Sequence, residues 1–295
     1  EHWCGGGVFV HECSGKVQDN IIEHNHLNYK HSVNVGSGIM AVTSNGHFII
    51  IRNNLIRNNS IETVMEATAA GLWAGVGKNG HIIAENNRIL HNSTLCLGPF
   101  EAHGGGVVLF GFFPEKASIL FRKNFVAQNQ VDAYSGAGAL GGGLEVIYYD
   151  FKSESRVQSP FLQIFDNRIL ENISSDRGGG IALREASQSQ YQTSPVCPQV
   201  FLSGNTITGN RAVFGSGIHN FNLSFIMVGN FLKNDLSIDG SFEIFNDDVG
   251  YAFLNHGIIN AYDYQVQGDW PSGRGIFQDY PYVRSFADKW KVKEV

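Results

Sequence analysis

Glu145, Arg184, Glu185 and His219 are the residues of this chain whose types and spacing point to proton chemistry. Glu145 and His219 each stand second after the same kind of small-residue triplet, and Arg184 and Glu185 follow a third copy of it between them. If the triplets stack at strand spacing, Glu145 and His219 lie two rungs apart, about 10 Å at the backbone, with Arg184 on the rung between. A carboxylate and an imidazole at that span can take and return a proton across a bound molecule. A guanidinium between them neutralises an acidic group beside the carbon that loses the proton. The plain alternative is a surface ion pair between Arg and Glu on stacked strands. Which applies depends on the elements that hold these residues.

Those elements are a repeat. A small-residue triplet followed by an aliphatic residue begins at Gly5, Gly36, Ala69, Gly104, Gly141, Gly178 and Gly215, at intervals of 31, 33, 35, 37, 37 and 37 residues. Between the triplets runs a second motif, an aliphatic segment bracketed by Asn five positions apart. It occurs at Asn20/Asn25, Asn54/Asn59, Asn87/Asn92, Asn124/Asn129, Asn167/Asn172 and Asn205/Asn210, and is shortened at Asn230/Asn234. Apolar residues around both motifs alternate with period two, as in Val8-x-Val10, Val107-x-Leu109 and Leu144-x-Val146, which is strand spacing. Two or three short strands per unit, with Gly and Asn at the bends, make one turn of a parallel β-solenoid. The expectation is an all-β chain of about seven coils over residues 1–240, closed by an irregular, aromatic-rich cap over 241–295. Asn tolerates left-handed backbone, and its amide can bond an identical amide one rung away, so the Asn columns are expected to be internal ladders.

Composition limits the partners. Hydrophobic residues are 43% and charged residues 16%, enough to bury a large core and unlike a disordered chain. The net charge is -6, with the cations scattered, so a nucleic-acid partner is not expected. No apolar run reaches the length of a membrane span. No cofactor is implied, and no metal site is expected: the cysteines lack metal-ligand spacing, and His2, His11, His24, His26 and His31 do not share a strand face. His103, with Glu101 just before the fourth triplet, carries only a weak metal signal. Cys4 and Cys13 flank the first strand and could bridge in an exported protein or remain free. Sequons at Asn58, Asn92, Asn172 and Asn222 arise readily from the repeat itself. The first triplet starts with no capping segment before it, so further coils, a cap or an oligomeric partner are expected at that end.

Aligned on the triplets, position five reads Phe9, Met40, Trp73, Val108, Glu145, Ala182, His219. Position seven reads His11, Val42, Gly75, Phe110, Ile147, Arg184, Phe221. Both alternate with core positions and so face outward. Phe9, Trp73, Phe110 and Phe221 form an aromatic file of the kind that stacks on sugar rings. The competing expectation is that the long segments Phe151 to Pro160 and Ala186 to Pro198, or an oligomer interface, cover this face.

The alternating Gly-Gly-Gly-Ile and Asn-x-Ile-x-x-Asn units over roughly residues 5–240 resemble the right-handed parallel β-helix superfamily that includes pectate lyases, and bacterial extracellular β-helix repeat proteins in particular. The tail segments Tyr264-Gln265-Val266-Gln267-Gly268-Asp269-Trp270-Pro271 and Asp279-Tyr280-Pro281 are similar to the segment that closes such helices, with Tyr280 interrupting the final Asp-Pro. The resemblance implies an extracellular or cell-surface protein engaging polysaccharide, as a lyase, epimerase or hydrolase. The alternative it implies is a non-catalytic adhesin, spike or structural surface protein. The calcium-binding Asp clusters and Arg-x-Pro-x-x-Arg segment of pectate lyases are not visible, so the fold leaves the function open.

Overall fold

The computed structural model describes residues 2–149, 161–186 and 200–228, apart from 5, 30–31, 113–115, 135–137, 222 and 224, and beyond these only short strands as far as Gln278. The segments 151–160 and 187–198, most of the tail and the side chains of Glu185 and Phe221 lie outside the described residues. Every described element is a strand, and every pairing between named strands is parallel. No helix among the described residues is long and apolar enough to cross a membrane.

The chain winds as a parallel β-solenoid with five sheets running along its axis. The long sheet has nine strands and begins with the seven that follow the triplets, from Val8–His11 to Ile218–Phe221. Ile244–Asp247 and Ile276–Gln278 add its last two rungs inside the segment that the sequence assigns to the cap. The triplet count misses these rungs because Ser241-Phe242-Glu243 and Gly273-Arg274-Gly275 depart from the triplet pattern. A short sheet of five strands, His2–Cys4, Val33–Val35, Ala67–Thr68, Ala102–His103 and Ala139–Leu140, precedes the triplets. The full five-strand coil therefore runs for five turns, after which single bridges at Arg177 continue the short sheet.

Inside, one continuous core of Ile, Leu, Val and Phe fills the coil, with Ile39, Ile49, Ile56, Leu72, Ile89 and Phe121 fully buried. The two Asn columns run beside it as buried ladders. Asn129 donates through Nδ2 to Ile89 O at 2.9 Å and to Asn172 Oδ1 at 3.0 Å, while its own Oδ1 accepts from Asn92 N and Nδ2. The two tasks expected of Asn fall to neighbouring residues. The ladder amides are inside, and the left-handed corner belongs to the preceding residue, as at Asn53, Asn58 and Asn86. Asn92 and Asn172 are sealed into a ladder and unavailable as glycan acceptors.

At the first triplet position the chain turns sharply from the short sheet into the long one. Gly141 has φ +71°, and a Cβ there would lie 2.8 Å from Glu145 Cβ. The outward side chain at position five thus leans back over the corner, and only glycine leaves it room at this rung. That corner decides what becomes of the outer face.

Candidate functional site

The outer face of the long sheet and that of the short sheet meet as the two walls of a groove. The residues before the triplets, Val35, Thr68, His103 and Leu140, end the strands of the short sheet, and His103 meets Glu145, at position five of the next rung, across the corner. Met40, Val108, Glu145, Ala182 and His219 are consequently all buried, although strand parity points them away from the core. Phe9 remains 51% exposed and Trp73 half-buried. The expected open column is therefore corrected: the fold's own adjacent sheet closes most of it. A small separate cluster of Ala69, Val108 and Ile147, packed against Trp73, Phe110 and Ala186, fills the groove's apolar stretch.

The polar stretch gathers around Glu145. Its side chain is 0% exposed, and both carboxylate oxygens lie 3.1 Å from His103 Nδ1. His103 Nε2 faces Glu101 at 3.5 Å and Glu66 at 3.6 Å, whose side chains are 40% and 45% exposed. Arg184 reaches back across the groove, and its guanidinium donates to Glu101 Oε2 at 2.5 Å. Burial works against a charge on His103, but the Glu145 charge and hydrogen bond, with help from Glu66, outweigh it and raise its pKa. Burial likewise works against Arg184, and Glu145 and Glu101 more than restore its cation. The resulting chain runs from a sealed carboxylate, through an imidazole, to carboxylates that solvent reaches.

His219 belongs to a different environment. Burial, then the nearby Arg177, lowers its pKa to about 3, so it is neutral at ordinary pH. Ala182 occupies the rung between it and Glu145. Glu145 thus takes His103 as its imidazole partner, rather than the His219 that the aligned columns suggest. The backbone of Glu185 pairs in register with Tyr148, one residue beyond the Arg184–Ile147 pair. Asp176, on the same side as Arg177, has its carboxyl raised, mainly by burial and further by Glu101, against the pull of Arg177.

Two of the four expected aromatics touch. Trp73 and Phe110 stack at 5.5 Å, and the file continues through Phe112 at 6.3 Å to Tyr149 at 5.7 Å. Gly75 makes this geometry available, since a Cβ there would fall 2.4 Å from the Trp73 ring lying over it. Phe9 stands two rungs from Trp73 and stacks instead on His11 at 5.7 Å. Cys13 is a free exposed thiol and Cys96 a free buried one. Among the described residues, no group of three or more His, Cys, Asp or Glu side chains is placed to hold a metal ion.

Sequence reasoning missed the role of His103 and did not single out Glu66. The signal that finds His103 is the column of residues before the triplets, read beside position five rather than alone. No protein-family model matches this chain, and no curated protein or solved structure matches it.

Proposed function

We propose that the groove is a polysaccharide-engaging site with proton-transfer chemistry at His103, Glu101 and Arg184, in an extracellular β-solenoid of the pectate-lyase-like kind. The observation that carries this reading is the use of Glu145. A fully buried carboxylate holds His103 Nδ1, leaving Nε2 directed at the half-exposed Glu101 and Glu66. In this arrangement Glu145 orients the imidazole and favours its charged form. Glu101 is the group a glycan meets, taking or giving the proton with His103 behind it. Arg184 exchanges its Glu101 partner for an acidic group of the sugar. Trp73, Phe110 and Phe112 border the site and offer apolar contact to sugar C–H groups.

A lyase, epimerase or hydrolase would use these same groups, and the substrate decides among them. One observation favours the second reading, a non-catalytic adhesin or structural surface segment: the rings from Trp73 to Tyr149 already stack on one another, which is packing a solenoid can use without a ligand.

The test is a glycan array combined with a cleavage screen that reads unsaturated uronate and reducing ends, on the wild type and on Glu101→Gln, His103→Gln and Arg184→Ala. Turnover falling about 100-fold or more in Glu101→Gln and His103→Gln, with binding weakened in Arg184→Ala, supports the reading. Silence of the wild type across acidic and neutral polysaccharides overturns it in favour of the structural role.

A further inference from the structure

Across the core from the groove lies a second concave feature. The sheet that carries the Asn motif contributes strands Arg88–Leu90, Phe125–Ala127 and Arg168–Leu170, with Arg88, Phe125 and Arg168 in register on three consecutive rungs. Ile169, the next residue after Arg168, packs against the triplet corner at Gly143, so Arg168 points to the opposite side of the coil. Here Arg88, Lys123, Asn124, Phe125, Asp166 and Arg168 line a concavity of about 420 Å³.

We infer that this concavity is a binding site for a doubly charged oxyanion, a phosphate or sulfate group, free or carried on a small sugar. Three observations lead there. First, the guanidiniums of the exposed Arg88 and Arg168 lie over one aromatic ring, with Cζ at 5.9 Å and 5.2 Å from the Phe125 centroid. Stacking on a ring engages the guanidinium faces and leaves the N–H edges to donate in pairs.

Second, the charge is unbalanced. Nearby cations are neutralised: Arg122 by Glu85 at 2.7 Å and Arg57 by Glu23 at 2.6 Å. Among the described residues no ion pair involves Arg88, Lys123 or Arg168. Three cations facing the single carboxylate of Asp166 leave two positive charges over, in a protein whose net charge is -6. That excess matches a dianion.

Third, Lys123 brings a cation to the corner column beside the two arginines. The corner column reads Asp19, Asn53, Asn86, Lys123, Asp166 and Gly204, all at positive φ. Lys123 is the one cation in that column, and the companion corner column, His24, Asn58, His91, Gln128, Glu171 and Gly209, shares its backbone without one. The same rungs interrupt an otherwise uncharged strand column, which reads Ile21 and Leu55 before Arg88 and Thr206 after Arg168.

This inference stands apart from the glycan reading of the groove. Calorimetric titration of the whole chain with sodium phosphate, sodium sulfate, glucose 6-phosphate and glucose tests it. The variants are Arg88→Gln/Arg168→Gln, Lys123→Gln and, as an off-site control, Arg122→Gln, each checked for unchanged circular dichroism. The expected result is binding of the three anions but not of glucose, weakened about tenfold or more in the double variant and unchanged in Arg122→Gln. Glucose 6-phosphate binding, unlike sulfate binding, is expected to weaken below about pH 6, where a phosphate ester loses its second charge. Glucose 6-phosphate binding more tightly than phosphate assigns the site to an esterified ligand, and equal affinities assign it to the free anion. Absence of binding at tens of millimolar, or affinities that survive in the double variant, overturns the inference.

Discussion

Asn129 and Glu145 are both sealed from solvent on the same solenoid, yet they sit in opposite kinds of place. Asn129 is one rung of an interior ladder in which the same residue recurs coil after coil, each amide bonded to the next. Glu145 is a lone carboxylate in an outer groove whose adjacent rungs at that position are Val108 and Ala182. The ladder answers a need created by the coil itself, that buried polar groups be satisfied. The groove's carboxylate answers no such need, since an aliphatic residue fills the same position on neighbouring rungs. A buried charge that the fold does not require, paired with an imidazole that opens toward solvent, is the difference on which the functional reading rests.

Substitution separates the two regions by size of effect. Asn129→Ala leaves several buried donors and acceptors short of a partner and is expected to cost about 4 kcal/mol in chemical denaturation. Asn20→Ala, at the exposed end of the companion ladder, is expected to cost less than about 1 kcal/mol. Equal losses at the two sites would contradict the cooperative ladder. Glu145→Ala is expected to cost about 2 kcal/mol, less than the interior substitution, because His103 can shed its proton rather than remain a buried unpaired cation.

The two groove imidazoles predict pH-dependent effects with opposite signs. The pKa of His103 is raised in the folded state, so its contribution is complete below the unfolded value of about 6.5 and is lost as pH rises through the folded value. That of His219 is lowered to about 3, so its contribution is complete above about 6.5 and is lost as pH falls toward 3. Each limb can change stability by at most about 1.4 kcal/mol per pH unit. Melting temperature should fall less steeply on the alkaline side in His103→Gln and less steeply on the acid side in His219→Asn than in the wild type. An unchanged profile in both variants would remove the electrostatic account of the groove. The smallest effect belongs to Arg57→Ala, which breaks a half-exposed pair with Glu23 and is expected to cost about 0.5 kcal/mol, falling with added salt.

Much of this architecture was legible in the residues. The triplets and Asn pairs set the coil period, and strand alternation assigned Ile39, Leu72 and Leu144 to the core and the Asn columns to ladders. The closing of position five was not legible, because it depends on the left-handed corner at residues such as Gly141, which folds one sheet's outer face against the next. A list of outward positions on a single strand cannot show that the residue before the triplet stands opposite, and so His103 was weighed only as a metal ligand. Lys123 was obscured for a related reason: its place beside Arg88 and Arg168 shows only when successive rungs are stacked.

The central claim is that Glu145 makes His103 a protonatable group at the floor of the groove. Its most direct test is an NMR titration of the His103 imidazole in the wild type and in Glu145→Gln. The account predicts a wild-type midpoint above 6.5 that moves down in the variant, where burial acts without the compensating charge. A wild-type midpoint at or below 6.5, unmoved by Glu145→Gln, would contradict it.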